Sequence, residues 1–215
     1  MNTDNIIVNT HSSIKIAGKK TLYFDPWKID EELHDADFCF ITHDHYDHFS
    51  PVDIKKILNE NTFIVFPETI KKNIIDCQLT DEEHMIALKP QVIKEKHEIL
   101  IETVLAYNKL KPFHTKKSGY LGYIITMDDV RYYIAGDTEL TDEVKNVKCN
   151  IAFLPIGGIY TMNANDAAKA VKYIGADIVI PVHFGCIAGT ADSSAAEKFK
   201  EMVSTNVKVI DKLFG

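Results

Sequence analysis

The run Thr42-His43-Asp44-His45-Tyr46-Asp47-His48 constrains this chain more than any other feature, because it joins an apolar stretch, Asp37 to Thr42, to a helix start. Three imidazoles and two carboxylates within six residues can converge on a cation, since a borderline metal such as zinc takes nitrogen and oxygen donors. On an extended stub His43 and His45 point to the same side. A turn into the following helix brings Asp47 and His48 toward a second position, so one stretch can serve two metals. The helix start is explicit: Ser50 is an N-cap, Pro51 a favoured first helical residue and Asp53 a first-turn acid, which predicts a helix over Pro51 to Leu58. A strand before and a capped helix after argue against a merely solvated histidine-rich loop.

Texture along the rest of the chain sets the fold class. Short strands with turns are expected at Asn5 to Asn9, Ser13 to Ala17, Leu22 to Asp25 and Asp37 to Thr42. Gln91 to Ala106 alternates and is rich in Ile and Val. Tyr120 to Met127 and Val130 to Ala135 flank Asp128-Asp129 as the arms of a hairpin, so the middle reads as antiparallel sheet. From Asn150 the rhythm is strand, helix, strand, helix, strand: Ile151 to Pro155, Asn165 to Ile174, Ile178 to Val182, Ser193 to Val203 and Val207 to Ile210. Strands throughout with helices between predict a mixed-sheet α/β sandwich. With 215 residues and no Pro/Gly/Ser linker, one domain over 1–215 is expected.

Charge excludes one large class of function. Lys and Arg number 24 against 31 Asp and Glu, a net charge of −7, which is the wrong sign for neutralising a nucleic-acid backbone. Arg131 is the sole arginine, so no guanidinium cluster is available to clamp phosphate. The first ten residues carry neither a basic start nor a long apolar stretch, and Cys39, Cys77, Cys149 and Cys186 form no C-x-x-C pair. A cytoplasmic protein acting without nucleic acid or membrane is expected, with self-association left open.

His43-x-His45-x-Asp47-His48 resembles the signature of the metallo-β-lactamase fold. Ile134-Ala135-Gly136-Asp137-Thr138 resembles the family's strand end whose aspartate bridges two metals, and Pro181-Val182-His183-Phe184-Gly185 its late strand ending in a metal histidine. The matches come in the family's order over nearly the whole chain. Phe24-Asp25-Pro26-Trp27 and Leu154-Pro155-Ile156-Gly157-Gly158 are similar to the branch that holds L-ascorbate-6-phosphate lactonase and other zinc-dependent hydrolases.

The resemblance implies an αββα sandwich of two mixed β-sheets flanked by helices. It implies His43, His45, Asp47, His48, Asp137 and His183 as metal ligands, with Asp47 and Asp137 also serving catalysis by orienting a water and taking its proton. One or two zinc ions are the expected cofactor, and manganese or iron would also suit the donors. Where the family supplies a third histidine this chain reads Ala106-Tyr107-Asn108, so Asn108, or His114 folding back, is expected to meet the metal or the substrate. Asp25 is expected to orient a ligand histidine. Gly158, Tyr160 and Thr161, with Gly157, are expected to line the substrate pocket. Lys109, Lys111, Lys116 and Lys117 point to an anionic group. His11, His34, His84 and His97 lie in polar surroundings and are expected to do no chemistry.

These readings together predict a metal-dependent hydrolase of a small anionic ester, lactone or phosphodiester. A nonenzymatic metal or nucleotide sensor and an iron-dependent oxidoreductase stand as alternatives on the same ligand set.

Overall fold

The computed structural model describes residues 2–204 and 206–213. The chain divides into two compact units, one up to Lys89 and the other from Pro90 on. Each is built around one mixed sheet with flanking helices, an α/β arrangement.

In the first unit the sheet order follows the chain, β1 (Ile6–Thr10), β2 (Ser13–Ala17), β3 (Thr21–Phe24), β4 (Phe38–Phe40), β5 (Phe63–Pro67) and β6 (Met85–Leu88). β1 to β3 pair antiparallel, and β3 to β6 run parallel. Aromatic side chains fill its buried face: the rings of Phe24 and Phe40 stack at 4.7 Å, and both residues are fully buried. Helix α1 (Pro51–Ile57) starts at Ser50, as expected, and stops at Leu58, whose N–H still reaches Ile54 O. A second helix, α2 (Lys71–Asp76), is only six residues long and has no capping side chain, so its sequence carries no start signal.

Asp53 does more than favour the first turn of α1. Its carboxylate accepts from Ser50 Oγ at 2.7 Å, from Lys28 N at 2.9 Å and from Ile29 N at 3.1 Å. Burial pushes this carboxyl upward, yet the bonds from Ser50, Lys28, Lys56 and Ile29 hold it below the usual carboxylate range. A depressed carboxylate contributes stability above its unfolded-chain value and loses that contribution as pH falls through the lower folded value. Asp53→Asn should therefore cost about 1–2 kcal/mol near neutral pH, and the gap in urea midpoint from the wild type should close as pH drops through the carboxylate range. A gap that stayed constant with pH would remove the carboxylate's charge from this account.

The second unit repeats the pattern. Its sheet order is β13 (Lys208–Val209), β12 (Ile178–Val182), β11 (Ile151–Pro155), β10 (Val130–Ile134), β9 (Leu121–Met127), β8 (Ile99–Leu105) and β7 (Ile93–Lys96). β7 to β10 are antiparallel, and β10 to β13 parallel. The alternating stretch expected over Gln91 to Ala106 is thus a hairpin turned at His97-Glu98. Both turn residues have positive φ, 45° and 65°, as do Asp128 and Asp129 between β9 and β10 at 53° and 60°. Two consecutive left-handed residues give a turn twist that matches the strands.

Helices α3 (Asp142–Lys145), α4 (Ala164–Ile174) and α5 (Ala195–Met202) flank this sheet. α4 is capped by Asn163 and ends at Gly175 with φ 70°. It buries Ala167, Ala168, Ala170, Val171 and Ile174 in a core that also holds Tyr133, Leu154, Phe184 and Phe199. Small residues on one face let this helix lie close to the sheet.

Candidate metal centre

In both units the chemistry stands where parallel strands end, since their carboxyl ends open toward loops that no further ladder bond constrains. In the first unit β3 runs into Asp25 and β4 into Thr42 and the histidine run. Asp25, wholly buried and left-handed at φ 45°, accepts from Thr42 N at Oδ1 and from both Thr42 Oγ1 and His48 Nδ1 at Oδ2, each at 2.7 Å. Burial pushes this carboxyl up, and the bonds and charge of His48 and Thr42 pull against that push.

The hydrogen-bond chain has a chemical consequence. His48 gives its Nδ1 hydrogen to Asp25, so its Nε2 keeps the lone pair. Thr42 Oγ1 gives its own hydrogen to Asp25 and therefore accepts from His43 Nδ1 at 2.9 Å, which leaves His43 Nε2 in the same state. One buried carboxylate thus leaves two imidazoles with their Nε2 lone pairs free of a hydrogen, the state a metal ligand needs.

Asp47 Oδ2 lies 3.3 Å from His48 Nε2 and 3.2 Å from His11 Nε2. The His43 ring sits 4.1 Å from that of His48 and 4.7 Å from that of His45, which is partly exposed. Asp44 turns away, accepting from Asn73 Nδ2 at 3.0 Å.

In the second unit Asp137 follows β10 after Gly136, whose φ is 64°. Its Oδ2 lies 2.9 Å from His183 Nε2 and 3.4 Å from His114 Nε2, and all three residues are buried. Gly157 is required beside His183, because a Cβ there would stand 2.1 Å from His183 O. Asn108 donates through Nδ2 to Phe113 O at 3.1 Å and Tyr160 O at 2.6 Å, and through its backbone N–H to His114 O at 2.7 Å. Those bonds turn the loop so that His114 comes back to Asp137. Asn108 Oδ1 is buried and has no hydrogen-bond partner among the described residues.

Gly158, Tyr160 and Thr161 serve this loop through their carbonyls, two of them taken by Lys111 Nζ and the third by Asn108. Lys111 also lies 3.4 Å from Glu139, and Lys116 pairs with Glu143 at 3.0 Å. Both lysines are thus tied to carboxylates of their own unit.

A correction concerns His11. It is wholly buried at the β1–β2 turn with φ 53° and its Nε2 faces Asp47, so it belongs with the cluster. Its sequence setting, Thr10-His11-Ser12, reads as a polar hairpin turn and carries no signal of burial. His34 and His84 are outside the cluster, bonded to Leu58 O and Asp81. His97 is an exposed turn residue.

The donors fit a metal. Two donors about 2.1 Å from one tetrahedral ion stand about 3.4 Å apart. The oxygen to nitrogen separations around Asp47 (3.2 and 3.3 Å) and around Asp137 (2.9 and 3.4 Å) are near that edge length. Asp25, His11, His114 and His183 are all buried with positive φ, a conformation costing each on the order of 1 kcal/mol or more. Two such residues in each unit, Asp25 and His11 in the first and His114 and His183 in the second, mark local geometry fixed against backbone preference.

Comparison with known proteins adds the family context. A family model described as a beta-lactamase superfamily domain matches residues 6–183. A UPF0173 metal-dependent hydrolase of Thermococcus onnurineus is 30% identical over 215 residues, covering 93% of this chain and 92% of that protein. Among solved structures, a metallo hydrolase from the hyperthermophilic archaeon Ignicoccus hospitalis matches with a TM-score of 0.79 at 22% identity, over 96% of this chain and 93% of the other. The metallo-β-lactamase fold protein YhfI of Bacillus subtilis matches with a TM-score of 0.68 at 16% identity, over 94% and 90%. These likenesses show the metallo-β-lactamase fold that the sequence motifs implied.

Proposed function

Because the chain belongs to the beta-lactamase superfamily and, within it, to the UPF0173 metal-dependent hydrolases, we propose that it cleaves a small anionic ester, lactone or phosphodiester with water. His43, His45, Asp47, His48, Asp137 and His183 are the proposed ligands, over one working domain that runs through both units, as the family model does. Zinc is the proposed ion, with manganese and iron also suited to carboxylate and imidazole donors. When bound, such an ion polarises the scissile carbonyl or phosphoryl and brings the pKa of a water near about 7. Two divalent ions would outweigh the charges of Asp47 and Asp137, which favours an anionic substrate.

The chain's own residues do the rest. Asp25 and Thr42 keep His43 and His48 in the donor tautomer. Asp47 and Asp137 orient the attacking water and receive its proton. Asn108 and Lys111 hold the loop carrying His114 in place, where it meets Asp137. The observation that carries this reading is the single hydrogen-bond chain from Asp25 that prepares two buried imidazoles at once, the arrangement that orients metal-bound histidines.

No helix among the described residues is long and apolar enough to cross a membrane. We place the protein in the cytoplasm, acting on a small molecule and without nucleic acid. The test is metal analysis of the protein as purified, followed by a phosphodiester and lactone panel with zinc or manganese added back. Stoichiometric metal and chelator-sensitive turnover are expected; metal-free protein that ignores added ions, or turnover that survives exhaustive chelation, would sink the proposal.

A further inference from the structure

We propose that Tyr46 and Trp27 form an aromatic subsite beside the histidine cluster of the first unit, and that the substrate is an anion bearing a planar ring. This names a substrate class for the hydrolase reading above and rests on it.

Tyr46 lies between His45 and Asp47, yet its side chain is turned outward and is 66% exposed while Asp47 is buried. Its ring meets that of Trp27 edge to face, 6.1 Å apart at 74°. Trp27 also meets the His11 ring at 5.6 Å and 67°, and His11 Nε2 is the atom 3.2 Å from Asp47 Oδ2. A ligand ring laid on this pair is therefore one imidazole away from a proposed metal ligand.

The backbone that carries Trp27 is held in place. Asn9 Nδ2 donates to Trp27 O at 3.0 Å and Lys28 O at 2.9 Å, Trp27 N donates to Ser13 Oγ at 3.1 Å, and Lys28 N donates to Asp53 Oδ2 at 2.9 Å. Four bonds from side chains fix a two-residue turn in which Lys28 takes φ 53°. An aromatic side chain on a fixed backbone has only two torsions to lose when it takes up a ligand, and its flat face selects for rings. Lys28 Nζ sits 4.2 Å from the Trp27 ring centroid, placing a cation at the same subsite. Aromatic rings with one adjacent ammonium recognise a planar group that carries negative charge.

Calorimetric titration of the zinc-loaded, full-length protein with phenylphosphonate, cyclohexylphosphonate and methylphosphonate tests this. Phenylphosphonate should bind about tenfold more tightly than methylphosphonate and several-fold more tightly than cyclohexylphosphonate, whose ring is apolar but not flat. Trp27 is the only tryptophan, so its emission should change with phenylphosphonate. Tyr46→Leu should reduce the phenyl to methyl ratio to about twofold, and Tyr46→Phe should keep it. Equal binding of the phenyl and methyl compounds, or an unchanged ratio in Tyr46→Leu, overturns the aromatic subsite while leaving the hydrolase reading intact. If no phosphonate binds and the protein does not retain zinc, both fall together.

Discussion

Asp137→Ala should remove turnover and most of the stabilisation that added metal confers. The Asp137 carboxylate is buried within 2.9 Å of His183 Nε2 and 3.4 Å of His114 Nε2, so it supplies negative charge where two imidazoles point their donor atoms. Losing a group that merely orients a ligand typically costs 10- to 100-fold in metal affinity, and losing a ligand carboxylate should cost at least about 100-fold. At a zinc concentration about 100 times the dissociation constant, binding stabilises the fold by about 2.7 kcal/mol; after a hundredfold loss only about 0.4 kcal/mol remains. For a chain of this length the first figure corresponds to a rise in Tm of about 5 to 10 °C, and the second to about 1 °C. The metal-free variant, by contrast, should melt no lower than metal-free wild type, because a buried carboxylate is itself a burden once no cation offsets it. Thermal melts of both proteins with and without zinc read the two effects separately. A variant that keeps the full metal-dependent rise would exclude Asp137 as a ligand.

That the site is readable in the sequence at all follows from covalent adjacency. His43 to His48, Asp137 and His183 each stand directly after an apolar strand, so a one-dimensional pattern already places them at strand ends. Asp25 is legible for the same reason. His11 is not, because what buries it is the packing of a hairpin turn against Trp27 and Asp47, side chains 16 and 36 positions away. The loop from Asn108 to His114 is half legible: the departure from a histidine at Asn108 is plain, but its resolution depends on amide bonds to Phe113 O and Tyr160 O that no spacing rule encodes. The lysines are half legible for a related reason. Their charge is visible in the sequence and their partners, Glu139 and Glu143, are not. In the fold, the elements with period or cap signals, such as α1 and α4, are recognised. Short uncapped ones such as α2, which tertiary packing stabilises, are not.

Asp25→Asn should lower metal affinity by about 10- to 100-fold while leaving the fold standing, and Asp25→Ala should unfold much of it. Asparagine tolerates the left-handed conformation at φ 45° and its oxygen can still accept from Thr42 N. Its amide nitrogen then replaces Oδ2, which in the native protein accepts from both Thr42 Oγ1 and His48 Nδ1. Facing a donor, His48 must present its Nδ1 lone pair and move its hydrogen to Nε2. Thr42 Oγ1 must accept from the amide and so turns its own hydrogen toward His43 Nδ1, which moves the His43 hydrogen to Nε2 as well. One atom exchanged in a buried carboxyl should thereby reverse two imidazole tautomers and withdraw two of the proposed metal donors. Alanine supplies no acceptor at all and leaves Thr42 N and His48 Nδ1 buried without their partner in a backbone conformation alanine disfavours, a loss of about 3–5 kcal/mol. Nitrogen-15 NMR of the histidines reports the tautomers directly, and competition with a chelator reports the affinity. Wild-type affinity in Asp25→Asn, with His43 and His48 still protonated on Nδ1, would show that the carboxylate does not govern these ligands.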